Sequence, residues 1–555
     1  MPPAEVLARV LARRQLLLVL DNCEHVIGAA AELCAGLLAV CDDVRVLATS
    51  REPLAVAGEA RYRLGPLTLP GGDPGEAGGS EAVALFADRA RQADAQFALT
   101  GETGPVVARL DGMPLAIELA AARVEALGAI QLADRLDDRF GLLTGGDRLA
   151  PRRHRSLAAV VEWSYRLLGE EERRVFRAVS VFPGPFTLEA AEAVAGPGAG
   201  EMVLRLVEYS LLVPPRAGPD GRWRYSMLET LRGYSAGLLA GSGEQEAAAA
   251  ALARWAAGVA GQAGAGLRTV EGERAAAQWL DAEDATMAQV LAWGVDHDAE
   301  LALGLVAGLG LWWTLRGRQA SQYPLLRELA GRSVPGSDGW CAAQYFLGYA
   351  AGSSGDLAAA LGHFTALRDA AEQRGPCRAL AEGLAGRAVG LVSLGRYGEA
   401  AEEARRALVM AREIAYPLVQ VLALRYLSWA ARSAGDPDRA VRLARQAGQI
   451  TAGVPGLAVR MCSYHLAYEL IEAGELAAAE TVCAEALARA RDADDLWNQA
   501  ALLSTIVTLD LEADRLQEAA AHLREALQLE TRSGSRGALG YALDQCGLLC
   551  AATGR

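Results

Sequence analysis

Residues 355–360 read GDLAAA, and the signature returns as GRYGEA at 395–400, GDPDRA at 435–440 and GELAAA at 474–479, with ADRLQEA at 513–519 as a fifth copy. Counted from the first position of each, the intervals are 40, 40, 39 and 39. Each signature opens on Gly or Ala at a turn and closes on Ala where paired helices cross. One helix–turn–helix unit cannot bury its apolar face alone, so a fixed period of this kind predicts stacked helix pairs, an all-α solenoid over residues 335–555.

The spacing is longer than the roughly 34 residues of a tetratricopeptide repeat, so helices longer by about a turn are expected. Aromatic residues recur on the first helix of the pairs: Tyr345, Phe346 and Tyr349, then Tyr426 and Trp429, then Tyr464 and Tyr468. Most should fill gaps between helices, and those facing inward would line a concave groove suited to a peptide, a partner helix or a small effector. Arg425, Tyr426, His465, Tyr468 and Glu469 are the groove candidates, with plain core or solvated residues the simpler reading for any one of them. His363, His465 and His522 have no Asp or Ser companions at repeat spacing, so a catalytic triad is not expected.

Working outward to the N-terminus, LLLVL at 16–20 does not alternate and reads as a strand buried on both faces, ending in Asp21. A helix over about 24–39, a second strand VRVLA at 44–48 and a short third strand at 61–64 predict a parallel α/β sheet. Ligands of such sheets sit at the carboxyl ends of the strands, where Asp21 and Arg51 fall. Asp21 suits Mg²⁺ beneath nucleotide phosphates, or simply caps a helix. Arg51 suits a terminal phosphate, or is a solvated loop arginine. PGGDPGEAGG at 70–79 reads as a loop. Residues 80–97 and the segment opened by Pro114 read as helices.

Residues 151–235 read as three helices and a hairpin, with RWRYSM at 222–227 as a strand, the outline of a winged helix. Twelve Arg against ten acids give this unit only +2, too little positive charge to favour direct DNA contact. Residues 236–334 are helical and carry Trp255, Trp279, Trp293, Trp312 and Trp313, which read as core packing rather than a recognition stripe.

The chain has 555 residues, 52% hydrophobic and 6% aromatic, and its 54 basic residues are all arginine. The net charge of −14 argues against a chain that coats nucleic acid. Of nine Cys, Cys23, Cys34 and Cys41 show no Cx2C spacing, and the i,i+4 pair Cys546 and Cys550 reads as ordinary buried thiols sooner than as a metal site. No apolar stretch reads as a membrane span or signal peptide, so a cytoplasmic location is expected. Oligomerisation is left open.

The runs LLLVLDNCEH at 16–25, VRVLATSREPL at 44–54 and LDGMPLAIELAAAR at 110–123 resemble the STAND ATPases, in particular the actinobacterial regulators of the LuxR and SARP type. The resemblance implies a partial P-loop-NTPase-like domain at 1–75, a helical lid at 76–150, a winged helix at 151–235, a helical arm at 236–334 and a tetratricopeptide-like solenoid at 335–555. It implies nucleotide contacts at Asp21, Asn22, Arg51, Gly112, Pro114 and Glu229, with Asp21 also the metal ligand. Three departures weaken that inheritance. No G-x-x-x-x-G-K-[ST] loop occurs, because the chain has no lysine. The acid that often follows the strand Asp is Asn22, which cannot act as a base, and nothing shows that Glu24 replaces it. The family's Met-His-Asp motif matches Met227, Leu228 and Glu229, and leucine donates no hydrogen bond to a phosphate. The expectation is no ATP hydrolysis and at most a weak hold on ADP or ATP with magnesium, whether the loop was lost naturally or lies outside this sequence. The implied function is a signal-responsive regulatory protein linked to transcription, with a protein, peptide or small effector on the repeats. Two alternatives stand: a nucleotide switch whose phosphate loop is missing or partner-supplied, and a non-catalytic scaffold.

Overall fold

The computed structural model describes residues 3–12, 14–21, 23, 26–50, 52–62, 64–70, 80–93, 97–99, 103–122, 124, 157–450, 454, 456–533, 543 and 545–550. The chain divides into two compact units, one of residues 1–218 with 222–252, the other of residues 219–221 with everything from Ala253 onward.

The first unit opens with α1 (Pro3–Leu11), β1 (Leu16–Leu20), α2 (Ile27–Leu38) and β2 (Val44–Ala48). β1 and β2 pair in parallel, Leu16 opposite Val44 through Leu20 opposite Ala48. The expectation of a strand buried on both faces fails. Leu17 and Val19 are 59% and 56% exposed, and Leu47 beside them 53%, because no described element packs on that side. The third strand expected at 61–64 is also absent among the described residues there. Tyr62 and Leu64 are almost fully exposed, with no ladder to complete their backbone bonding.

Next come α3 (Glu81–Ala93), α4 (Thr103–Ala108) and α5 (Pro114–Ala121). Their apolar faces meet in a core of Phe86, Ala90, Val106, Leu110, Ile117 and Ala120. Pro114 opens α5 at a position where its missing N–H is harmless.

The winged-helix outline is present: α6 (Leu157–Leu167), α7 (Glu170–Val179), α8 (Leu188–Ala195), α9 (Ala199–Glu208), β3 (Val213–Ala217), β4 (Trp223–Ser226) and α10 (Glu229–Ser242). The two strands pair antiparallel, and Phe186 bridges to Tyr225 beside them. Thr187 caps α8 by accepting from the Ala190 N–H. α11 (Gln245–Gly266) runs out of the first unit and into the second.

The second unit continues with α12 (Glu273–Ala282), α13 (Asp284–Asp296), α14 (Ala299–Leu315) and α15 (Gln319–Arg332). Five helix pairs follow: α16 (Asp338–Ser353) with α17 (Leu357–Glu372), α18 (Arg378–Ser393) with α19 (Tyr397–Glu413), α20 (Pro417–Ser433) with α21 (Pro437–Gly448), α22 (Gly456–Glu472) with α23 (Leu476–Asp492), and α24 (Leu496–Glu512) with α25 (Leu516–Ser533). These pairs form an extended, open helical solenoid. The repeat signatures are its inter-helix turns. Gly355, Gly395, Gly435 and Gly474 adopt φ between +72° and +86°, a left-handed conformation that glycine takes without steric cost. In the fifth copy Asp514 takes that role at φ 57°, within the tolerance of a short polar side chain. Asp356 and Asp436 then cap the following helices. Among the described residues no helix is long and apolar enough to cross a membrane.

Each helix packs on its neighbour, and the first helices of successive pairs also pack on one another, α16 on α18, α18 on α20, α20 on α22 and α22 on α24. The second helices do so far less. A stack closer along one side curves toward it, so the first helices line the inner face. The same curvature brings α12 against α22. Arg460 there binds both carboxylate oxygens of Glu273 at 2.7 and 3.1 Å and, through Nε, Asp495 at 2.7 Å. All three side chains are at most 5% exposed. Arg316 at the end of α14 pairs with Asp281 of α12 at 2.6 Å.

Candidate functional site

The residues singled out in the first unit fall into two places. Asp21 ends β1, exposed, and accepts a hydrogen bond from the Thr49 hydroxyl across the strand ends. Asn22, Glu24 and Arg51 lie outside the described residues, as does the segment 152–156. Among the described residues no group of three or more His, Cys, Asp or Glu side chains has a geometry that would hold a metal ion.

Gly112, Pro114 and Glu229 belong to the second place. Asp111 and Gly112 are both left-handed, at φ 57° and 66°. A Cβ on Gly112 would stand 2.3 Å from the Leu67 carbonyl oxygen, and the Gly112 carbonyl itself accepts from the Leu67 N–H at 2.9 Å. This turn aims the Asp111 carboxylate at the start of α10. It accepts from the Thr230 backbone N–H at 2.7 Å and hydroxyl at 2.8 Å. The lid motif thereby caps the helix that follows the hairpin, and the negative charge sits at the positive end of that helix. A cleft of about 220 Å³ lies alongside, lined by Asp111, Phe182, Pro185, Met227, Leu228 and Glu229 among others. Glu229 faces it while paired to Arg232 at 2.7 Å.

The inner face of the solenoid carries the densest polar chemistry. On α20, Arg425, Trp429 and Arg432 fall at i, i+4 and i+7, one stripe of the helix. On α22, Tyr464, His465, Tyr468 and Glu469 face them. The Arg425 guanidinium lies 4.6 Å from the Trp429 ring centre and 5.1 Å from that of Tyr464, and it donates to the Tyr464 hydroxyl. The Trp429 ring stands edge-on to His465 at 5.4 Å. Glu469 is fully buried and accepts from Arg432, whose guanidinium lies over the Tyr468 ring at 5.8 Å. Tyr426 is buried with its hydroxyl 3.5 Å from that of Tyr349. The groove candidates are thus gathered on one face, most of them deeper than solvated groove residues would be.

The electrostatics follow from burial. Burial first, then the nearby charges of Arg425 and Arg432, hold the His465 imidazole well below its ordinary range, so it is neutral. Burial pushes the Tyr345, Tyr349 and Tyr426 phenols well above theirs. On α18, burial raises the Glu382 carboxyl while the Tyr416 hydroxyl, donating at 2.6 Å, opposes that rise. Several buried polar atoms here lack any hydrogen-bond partner: Arg425 Nε, His465 Nε2 and Glu469 Oε1. The last two face each other at 3.7 Å.

Glu382, Tyr416 and Arg432 escaped the sequence reading. Arg432 was within reach of it, since it shares the helical stripe of Arg425. Glu382 carries no such signal, because its partner comes from the next pair, 34 residues on. His363 and His522 do have partners, Gln344 and Tyr323 for the first and Asp510 at 2.8 Å for the second. Gln344 and Asp510 lie on the neighbouring helices, 19 and 12 residues away, and Tyr323 lies 40 residues away; none of them is the Asp or Ser at repeat spacing that a triad would need.

No family model matches the chain. It is 41% identical over 251 residues to a protein of Mycobacterium tuberculosis described as a "Putative HTH-type transcriptional regulator", covering 43% of this chain and 27% of that one. It is 37% identical over 254 residues to an uncharacterized protein of the same species, covering 44% of this chain and 62% of that one. Among solved structures it is similar to a STAND protein with a tetratricopeptide repeat sensor from Pyrococcus horikoshii, 13% identical with a TM-score of 0.41, covering 99% of this chain and 79% of that one. It is also similar to NprR in complex with its cognate peptide NprX, 16% identical with a TM-score of 0.37, covering 51% and 86%. Superpositions this loose add nothing to the fold described above. The chain spans about a quarter of the length of the first curated relatives it matches, at 27%.

Proposed function

We propose that the chain is a signal-responsive regulatory protein, linked to transcription, whose repeat array takes a protein or small-ligand effector on its inner face. The observation that carries this is the clustering of three buried polar atoms without partners, at Arg425, His465 and Glu469, on the facing helices α20 and α22, where the others of the second unit are scattered over other helices. A solenoid built only to be stable would satisfy them or replace them with apolar groups, because each costs about 1–3 kcal/mol when unpaired. The similarity to mycobacterial regulators of the helix-turn-helix type points to transcriptional output. The test is genetic: deletion of the gene should change a defined set of transcripts, wild type should restore them, and a Glu469→Gln chain at equal abundance should not. Full restoration by the variant, or no transcript change on deletion, would refute the reading.

A nucleotide switch is the second reading, favoured by the lid-to-α10 bond at Asp111 beside the 220 Å³ cleft. Asp21, Asn22 and Arg51, with Gly112, Pro114 and Glu229, would then contact a weakly held ADP or ATP with Mg²⁺ at Asp21. With no lysine to neutralise a triphosphate, we expect no hydrolysis. Magnesium-dependent phosphate release abolished by Asp21→Asn would overturn that expectation.

A further inference from the structure

We propose that Arg425 is the anchor for the carboxylate of a ligand with a flat apolar body, held on the inner face between α20 and α22. The assignment deepens the regulatory reading above and rests on it for its biological meaning.

Arg425 is 4% exposed and forms no ion pair among the described residues. Every other deeply buried arginine of the array has a carboxylate within reach: Arg460 has two, and the less buried Arg432 has Glu469 and Glu472. A guanidinium stays charged in a protein, so one shut away from water without an anion is stable only in part through its neighbours. Trp429 and Tyr464 supply ring faces, and such contacts offset only part of the cost of burying an ion. The Nε–H remains without an acceptor. A carboxylate accepting from Nε–H and an adjacent Nη–H would supply both the missing charge and the missing bond in the planar geometry that arginine favours.

The surroundings narrow the ligand. One uncommitted cation suits a monoanion better than a phosphate dianion. The flanking rings of Trp429 and Tyr464 favour an aromatic or flat aliphatic body over a sugar acid. Beyond Trp429, His465 Nε2 and Glu469 Oε1 stand 3.7 Å apart, too close for a ligand atom to enter between them, so this pair borders the site without adding a contact to the ligand. An aromatic amino acid with a free carboxylate has both features, either as an N-acylated small molecule or as the last residue of a peptide.

Calorimetry on the full chain tests this with four probes: N-acetylphenylalanine, its carboxamide, a pentapeptide ending in phenylalanine with a free carboxyl terminus, and the same pentapeptide amidated. The acids should bind at least about tenfold more tightly than their amides, the loss expected for a charge-assisted pair. The better acid identifies the source. Arg425→Met should abolish that preference and, without ligand, raise the melting temperature, because it removes an uncompensated buried charge. Equal binding of acid and amide, no binding by either acid at millimolar concentration, or a lowered melting temperature in Arg425→Met overturns the assignment. Carboxylate binding with no transcript phenotype would sink the regulatory reading alone, and the phenotype without carboxylate binding would sink this assignment alone.

Discussion

Replacing Arg460 with methionine should destabilise the second unit by about 4 kcal/mol. Three hydrogen bonds are lost, two to Glu273 and one to Asp495. The larger effect is on what remains, since both carboxylates stay buried with no cation, a situation that costs about 3–5 kcal/mol when one partner of a buried pair is removed. Asp495 keeps its bonds to Asn498 at 2.6 and 3.1 Å, and Glu273 keeps the Leu457 N–H at 2.9 Å, which places the estimate inside that range rather than above it. In a unit of this size the loss should lower the melting temperature by roughly 6 °C. Eight of the ten tryptophans lie from residue 255 onward, so urea unfolding followed by tryptophan fluorescence reads mainly this unit. The loss should be larger at pH 8 than at pH 5. Burial already raises the Asp495 carboxyl. Without Arg460 the folded state binds that proton more tightly than the unfolded state, so stability falls as pH rises above the ordinary carboxyl range. A triple variant, Glu273→Gln, Arg460→Met and Asp495→Asn, should recover most of the loss. A loss under about 1 kcal/mol, or no recovery in the triple variant, would show that the network does not hold α12 to the repeats.

Asp111→Ala should cost the first unit about 1–3 kcal/mol, because Thr230 is fully buried and would lose both bonds; chemical denaturation followed by circular dichroism measures it. Gly112→Ala should cost about 1–3 kcal/mol, since the left-handed turn and the 2.3 Å approach to the Leu67 carbonyl leave no room for a methyl group; an unchanged midpoint would contradict the turn described. The neutral His465 must charge in the unfolded chain but resists it when folded, with Arg425, Arg432, Glu469 and Trp429 around it. The array should therefore lose stability as pH falls below about 6.5, and His465→Gln should flatten that slope in thermal melts between pH 7.5 and 5.5.

The solenoid was legible because a local rule repeats. A left-handed turn needs glycine or a short polar residue, a crossing needs alanine, and both recur at a spacing that counts directly to helix length. The winged-helix outline was legible for the same reason, since Gly169, the three glutamates after it and the alternation at 223–226 are local signals. The first two N-terminal strands were placed well, but the third at 61–64 is not found among the described residues and the environment of the first two was misread. LLLVL reads as doubly buried, yet Leu17 and Val19 lie exposed, because hydrophobic periodicity reports what a strand can bury and not what is present to cover it.

The residues proposed for a groove lie near one another on α20 and α22, but their burial was not legible. The sequence put Arg425, Tyr426, His465, Tyr468 and Glu469 on two first helices. It could not say that Arg425 has no counter-ion while Arg432 has two, because a side chain's partner is set by the neighbouring helix, tens of residues away. What the sequence by itself determined is the order of local elements: turns, caps, apolar stripes and their period. What only the tertiary structure decided is which charges meet, Glu273 with Arg460 and Asp495 across 187 residues, and Asp111 with Thr230 across 119. The physical reason is range: backbone geometry is fixed by adjacent residues, whereas a buried charge is stabilised or stranded by whatever the packed fold brings within a few ångströms of it.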